Sequence, residues 1–226
     1  MDSNAKKSDE RETVRLEAFS DGVFAFAITL LVLYLKDPVL TGGGGLFQGL
    51  LDQWPTFFAF VTSFMTILIM WIGHHETFTY IKRIDRRFMF LNGFLLFFVT
   101  LTPFTTSLVA DHILSSDSGT AAAVYSGSFL LLSVAWNLLW RHASRHNRLL
   151  DREVPPSVVQ AMARNFYVGP ICYTAALLIA PVSGISSVVL VFAVAVFFAV
   201  ATSTPQRSLQ SQLQGARPST HRSMIA

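Results

Sequence analysis

Six long apolar stretches, separated by short polar segments, constrain the fold of this 226-residue chain more than any other feature of its sequence. They cover residues 18–35, 54–73, 88–110, 121–140, 166–181 and 185–202. Apart from Asp21, no Asp, Glu, Lys or Arg falls inside them. A helix of about 20 residues crosses a hydrocarbon core of about 30 Å. We therefore predict an all-α fold of six transmembrane helices, in which the last two form a hairpin at the turn over residues 181–184.

The composition argues against the classes of protein that lie in water. Only 14% of the residues are charged, whereas a soluble domain carries about 25%. Such a shortage of charge disfavours a soluble enzyme and a disordered chain. The sequence contains no H-E-x-x-H or C-x-x-C metal pattern and no nucleophile elbow. We therefore expect neither an enzyme nor a bound metal or other cofactor.

The positions of the Lys and Arg residues predict a topology. Sixteen of the seventeen fall in the N-terminal segment, in the connections after the second and fourth stretches, and in the C-terminal segment. Lys36 is the exception. Cytoplasmic segments are enriched in Lys and Arg, so we expect a multi-pass protein of the cell membrane with both termini in the cytoplasm. Because the cations occur in short blocks between apolar stretches, no nucleic-acid partner is expected despite a net charge of +3.

The chain divides into three parts in this interpretation. Residues 1–15 form a cytoplasmic arm, residues 16–202 form one transmembrane domain, and residues 203–226 form a tail. The tail is rich in Ser, Gln, Pro and Arg, and such a composition predicts disorder. No half-length repeat is present, so a pore along a symmetry axis would require several copies of the chain.

Polar residues at membrane depth are costly and call for a role. Ser20 and Asp21 lie near the cytoplasmic end of the first stretch, and the topology places other polar groups at the same depth. These are Trp71, His74, His75, Asn92, Trp136 and Asn137. Two interpretations remain open: a hydrogen-bond network that locks the helices together, or a proton- or ion-sensing site in which a His–Asp contact titrates near neutral pH. Neighbouring helical residues point about 100° apart, so His74 and His75 are not expected to share a metal ion.

One face of the first span has an unusual pattern. Gly22, Phe26, Thr29 and Leu33 follow one another at spacings of four, three and four residues, which places them in one stripe. The stripe combines the smallest residue, a mid-membrane hydroxyl and two bulky apolar groups. It suits a pore wall with apolar constrictions, and it also suits a packed helix interface.

The pattern Arg15-x-x-x-Phe19-Ser20-Asp21, followed by a long apolar helix, resembles the signature of the transmembrane protein 175 family of potassium channels. The six-span layout and the segment from Trp71 to His75 are similar as well. The resemblance implies passive conduction of monovalent cations with a preference for potassium. It also implies a homotetramer in the lipid bilayer, with the first span of each subunit lining the pore.

The resemblance further implies roles for single residues. The narrow apolar ring falls on Phe26, where the family usually has Ile or Leu, a further apolar ring falls on Leu33, and Leu30 contributes if the helix is rotated. Thr29 supplies a hydroxyl ring implicated in selectivity. The inter-helix network around the cytoplasmic end of the pore falls on Arg15, Phe19, Ser20 and Asp21, which are not ion ligands.

Two alternative functions remain at this point. One is a proton- or ion-coupled secondary transporter that uses Asp21 and a histidine as the titrating pair. Such transporters usually carry inverted repeats and a binding site near the midplane, and neither is visible in the sequence. The other is a non-conducting membrane assembly in which Phe26 and Leu33 pack between helices.

Overall fold

The computed structural model describes residues 3–38, 45–145, 148–151 and 154–203. In this part of the chain the protein is all-helical, with seven α-helices and one short 3-10 helix. The α-helices are α1 (Ser3–Leu30), α2 (Leu46–Asp52), α3 (Trp54–Tyr80), α4 (Arg86–His112), α5 (Ser118–Ser144), α6 (Pro156–Ile179) and α7 (Gly184–Ser203). The 3-10 helix, Leu31–Tyr34, continues α1.

The six predicted stretches coincide with six of these helices, and the short α2 was not predicted. Among the described residues, four helical segments are long and apolar enough to cross a membrane: Glu10–Tyr34, Trp54–Tyr80, Arg86–His112 and Ser118–Ser144. The helix α6 is long enough, but Arg164 and Asn165 lower its hydropathy. The apolar part of α7, Gly184–Val200, is shorter than 18 residues. By length and composition, four helices can therefore cross a membrane, while the count of six spans stays a prediction.

The N-terminal arm and the first span are one helix. The helix α1 begins at Ser3 and crosses the predicted boundary between residues 15 and 16 without a break. Residues 3–21 contain neither Gly nor Pro and are rich in Ala, Glu, Lys and Arg, which favour helix. At the other end of the chain, Ser203 still belongs to α7, and the rest of the predicted tail lies outside the described residues.

The helices α4 and α5 lie at the centre of the bundle. The helix α1 packs against α3 and α4, while α6 and α7 pack against α5. Two clusters of buried apolar side chains form the core. The first, which includes Phe24, Phe88 and Trp140, joins α1, α4 and α5, and the second, which includes Tyr125 and Val191, joins α5 and α7. Because α1 touches the bundle on one side only, it is the least buried of the four membrane-spanning segments.

The α6–α7 turn meets the start of α5 at one end of the bundle. A Cβ atom on Gly184 would lie 2.6 Å from the carbonyl oxygen of Ser118, so this close approach requires glycine. At the opposite end, the backbone N–H of Lys82 donates to the carbonyl of Leu149 (2.9 Å), and that of Asp151 donates to the carbonyl of Tyr80 (2.8 Å). These bonds join the α3–α4 connection to the α5–α6 connection.

We call this second end of the bundle the basic end. Described cations cluster in or beside its two connections: Lys82, Arg83, Arg86, Arg87, Arg141, Arg145, Arg148 and Arg164. Asp85 is the N-cap of α4, and its Oδ1 accepts a hydrogen bond of 2.8 Å from the N–H of Phe88. His142 donates from Nε2 to both carboxylate oxygens of Asp85 at 2.9 and 3.0 Å, and Arg148 lies 3.6 Å away.

Asp85 is therefore surrounded by donors and cations. Burial by itself would raise the pKa of this carboxyl, but the Phe88 N–H, His142 and Arg148 together outweigh burial and hold the pKa below its usual value. Since the folded-state pKa lies below the unfolded one, the charged Asp85 stabilises the fold at neutral pH. This stabilisation is lost as the pH falls below about 3.9 through the folded-state pKa.

We expect Asp85→Asn to lower the stability of the protein by about 1 kcal/mol at neutral pH, because Asn still caps the helix but loses the charge. The difference from wild type should shrink as the pH is lowered from 5 toward about 3. Thermal unfolding in detergent over this pH range measures it. Asp117→Asn is the matched control, since Asp117 is the N-cap of α5 without a side-chain hydrogen bond. A pH-independent difference at Asp85 would contradict the assignment.

Candidate functional site

Three buried side chains from three helices form a chain of hydrogen bonds near the basic end, which we call the relay. Ser20 of α1 donates from Oγ to the carbonyl of Leu16 at 2.8 Å, so its oxygen must accept the next hydrogen bond. Asn92 of α4 supplies it, with Nδ2 2.9 Å from the Ser20 Oγ. The Oδ1 of Asn92 then accepts from Nε2 of His74 in α3, again at 2.9 Å. The direction of every bond in the relay therefore follows from the Ser20–Leu16 contact.

The other side of the His74 ring has no polar partner. Its Nδ1 is buried without a hydrogen bond to any described atom. The ring stacks on Phe78 at 4.4 Å between centroids and contacts Phe24 at 5.3 Å and Trp136 at 6.0 Å. A charged imidazole would leave an unpaired N–H in this aromatic cage, at a high desolvation cost. The surroundings suit a neutral histidine that serves as a hydrogen-bond donor.

Beside the relay, two side-chain hydrogen bonds join α1 to α3, and we call this pair of bonds the ladder. The indole N–H of Trp71 donates to Oδ1 of Asp21 at 2.9 Å. One turn nearer the basic end, Nδ1 of His75 lies 2.9 Å from Oε1 of Glu17. The two residues from each helix are four apart and so lie on one face, and antiparallel helices bring the two pairs into register.

The ladder bears on one of the two interpretations left open by the sequence. That interpretation has a His–Asp contact as the titrating site, whereas the hydrogen-bond partner of Asp21 is Trp71 and His75 pairs with Glu17. Glu17 was not among the predicted site residues, although its position four residues before Asp21 could have indicated it. His74 and His75 point to different partners, and among the described residues no group of His, Cys, Asp or Glu is placed to hold a metal ion.

Some predicted members of the network lie outside it. Asn137 donates to the carbonyls of Ser133 and Phe166 (2.9 and 2.6 Å), which ties α5 to α6. Arg15 and Phe19 are exposed on α1. Within the described part of the chain, no hydrogen bond or ion pair of the Arg15 side chain is found. The structure thus brings together Ser20, Asp21, Trp71, His74, His75 and Asn92, and it leaves the first two signature residues on the surface.

The stripe of α1 faces away from the bundle. Phe26 is 63% exposed and Leu33 is 68% exposed, and Gly22 and Thr29 are exposed too. Leu30 is half-buried. The opposite side of the same helix carries Phe24, Ala27 and Leu31, which are buried against α3 and α4. One chain therefore presents an unbroken strip of α1 that its own helices do not cover.

The local geometry of the stripe differs from a uniform α-helix in one respect. The hydroxyl of Thr29 donates to the carbonyl of Phe26 at 2.8 Å, which leaves the oxygen lone pairs directed away from the helix. From Leu31 onward the helix tightens to 3-10 geometry, with three residues per turn. Leu33 is therefore displaced around the helix axis from the position that α-helical spacing predicts, although it remains exposed.

We expect Asn92→Ala to destabilise the protein by about 2–4 kcal/mol, because it leaves both Ser20 and His74 buried without their partner. Thermal unfolding followed by size-exclusion chromatography in detergent measures the change. Asn165→Ala is the control, since Asn165 is an exposed residue of α6. If Asn92→Ala unfolds at the wild-type temperature, the relay does not hold α1, α3 and α4 together.

Comparison with known proteins shows the family of this chain. The profile of a family described as the endosomal/lysosomal potassium channel TMEM175 matches residues 15–103, a range that contains the relay, the ladder and the stripe. A potassium channel of Chamaesiphon minutus is 42% identical over 194 residues, which span 85% of this chain and 96% of the relative. A potassium channel of Streptomyces collinus is 43% identical over 163 residues, with coverages of 72% and 79%.

A solved structure agrees with these matches. The crystal structure of a lysosomal potassium-selective channel TMEM175 homologue from Chamaesiphon minutus superposes with a TM-score of 0.77 at 40% identity. The superposition covers 84% of this chain and 98% of the other. The similarity extends over nearly the whole length of both the relative and the solved structure. This multi-pass membrane protein therefore belongs to the TMEM175 family.

Proposed function

We propose that this chain is a subunit of a homotetrameric, potassium-preferring cation channel whose pore is lined by α1 of each subunit. One observation carries the proposal: Phe26, Thr29 and Leu33 are exposed on a membrane-spanning helix whose other face is buried against its own bundle. The bacterial relatives described above are named potassium channels, which supports potassium as the permeant ion.

A single stripe cannot enclose an ion path, so the proposal requires several copies around an axis. Four α1 helices would bring four Phe26 rings to one level, where an apolar constriction can close a pore by dewetting. Residues 22–35 carry no charged side chain. Control of ions would therefore rest on apolar rings and on the hydroxyl, without a charged ring.

Thr29 is the polar group best placed to contact an ion in such a pore. It lies three residues beyond Phe26, which is about 4.5 Å along a helix. Because its hydroxyl hydrogen is bound to the Phe26 carbonyl, the oxygen would present lone pairs to the axis. Oxygen lone pairs can replace part of the water around a permeating cation.

The membrane orientation is part of the same proposal. The basic end contains the described Lys and Arg blocks, whereas Lys36 follows the far end of the first span. By the positive-inside rule the basic end faces the cytoplasm, with six spans in residues 16–202 and with residues 1–15 and 203–226 on the cytoplasmic side. The cell membrane is the proposed location.

The relay and the ladder act as positioning elements in this channel. They fix α1 against α3 and α4 and so set which face of α1 points outward. The transporter alternative requires Asp21 to exchange a proton with a histidine. The hydrogen bond of Asp21 is instead to an indole N–H, which does not titrate in the physiological range, and no described contact favours this alternative.

In liposomes, we expect wild-type protein to pass K⁺ and Phe26→Ala to raise the flux by about tenfold, which corresponds to a barrier about 1.4 kcal/mol lower. Phe197→Ala is the control, because Phe197 is an exposed phenylalanine (53%) on α7, outside the stripe. An ionophore-calibrated fluorescence flux assay measures the effect. The proposal fails if neither wild type nor Phe26→Ala carries any monovalent cation.

Selectivity is tested at Thr29. We expect Thr29→Val, which keeps the shape but removes the oxygen, to lower the K⁺/Na⁺ permeability ratio toward one, while Thr29→Ser retains it. Bi-ionic reversal potentials in planar bilayers measure the ratio. Thr100→Val is a closely matched control, since Thr100 on α4 is exposed and donates to the carbonyl of Phe97 at the same 2.8 Å. An unchanged ratio in Thr29→Val would remove the hydroxyl ring from the selectivity mechanism.

A further inference from the structure

An open cavity of about 800 Å³ lies at the basic end, between the first turns of α4 and the last turns of α5. Its lining consists mainly of cationic and apolar side chains, together with His142 and Ser144. Arg87, Arg141 and Arg145 are cationic, and Phe90 and Leu138 are apolar. None of the residues described so far as relay, ladder or stripe belongs to it. The cavity is thus a separate feature that conduction through α1 does not use.

No described residue neutralises the charge of the cavity. None of the described lining residues is acidic. The three arginines are exposed, and their side chains make no hydrogen bond or ion pair with any described residue. The nearby carboxylate of Asp85 is engaged by His142 and Arg148. The cavity therefore presents three guanidinium groups with no anionic partner on the described part of the protein.

Exposed apolar rows lead from the cavity along both helices, away from the basic end. On α4, Phe90 (69% exposed) is followed by Phe94 and Phe97 at spacings of four and three residues. On α5, Leu138 is followed in the same direction by Val134 and Leu131 at the same spacings. Seven residues of helix cover about 10 Å. The cationic cavity at the basic end thus continues, further along α4 and α5, into an apolar surface that both helices form.

We propose that this cavity binds the phosphate head group of an anionic phospholipid, whose acyl chains lie along the two apolar rows. Guanidinium groups bind phosphate oxygens in bidentate geometry, and basic pockets between membrane helices at the cytoplasmic surface suit anionic head groups. A free phosphate would use the arginines alone and leave the apolar rows uncovered. A phospholipid matches both parts of the surface at the depth where its head group and tails lie.

The site does not depend on whether the chain conducts ions, so binding is tested directly. Native mass spectrometry of the intact detergent-purified protein, titrated with phosphatidylglycerol, gives the apparent affinity per chain. We expect Arg141→Gln/Arg145→Gln to bind about thirtyfold more weakly, from the usual contribution of each cation near an anionic lipid surface. Arg83→Gln/Arg164→Gln removes the same charge from the same end, outside the cavity lining, and should bind like wild type.

A second variant keeps the test decisive if the double substitution disturbs folding. Leu138→Trp fills the apolar side of the cavity without changing its charge, and it should also weaken binding of phosphatidylglycerol. Two ligand controls separate the sources of phosphate. Phosphatidylcholine, which has no net charge, and glycerol 3-phosphate, which has no acyl chain, should both bind far more weakly than phosphatidylglycerol.

Four outcomes would overturn the proposal. They are wild-type affinity in both cavity variants, equal affinity for phosphatidylcholine, equal affinity for glycerol 3-phosphate, and loss of the oligomer in the cavity variants with lipid binding retained. The last outcome would assign this face to contact with a second copy of the chain.

Discussion

A helix that touches its bundle on one side is held in a bilayer by packing and by polar contacts, since lipid supplies no hydrophobic force between helices. In this protein α1 depends on such contacts near the basic end of the bundle. Ser20 reaches Asn92, and Glu17 and Asp21 reach His75 and Trp71. On this side of α1, the side-chain oxygens of Ser20, Glu17 and Asp21 accept hydrogen bonds, and the donors belong to α3 and α4. The rotation of α1 about its own axis is thereby fixed.

That rotation decides which residues the helix presents outward. With Ser20 and Phe24 turned inward, Phe26 and Thr29 are turned away from the bundle. The rotation of α1 that turns Ser20 inward is therefore the same rotation that exposes the apolar stripe. The single directional chain of hydrogen bonds through Asn92 also explains why the amide is suited to this position: it donates to one helix and accepts from another at the same time.

The sequence predicted the features that depend on how deep a residue lies in the membrane. It missed those that depend on how each helix is rotated about its own axis. Apolar length located the long helices, and the alternation of cations placed Ser20, Asp21, Trp71, His74 and Asn92 at one level, where the structure brings them into contact. Depth does not determine which face of a helix meets a neighbour. The pairing of His75 with Glu17, the exposure of Arg15 and the arginine-lined cavity were therefore not foreseen. The 3-10 geometry from Leu31 onward could not be predicted, because the spacing of the stripe fits a single helical period throughout.

The uninterrupted course of α1 has a mechanical consequence. From Ser3 to Leu30 the backbone is one α-helix, without proline at any point, and residues 3–26 span about 35 Å. Because Ser20 and Asp21 hold this helix to α4 and α3 between its N-terminal segment and Phe26, a twist applied to the N-terminal segment is resisted at these contacts. Such a twist would change the direction in which Phe26 points only if these hydrogen bonds broke.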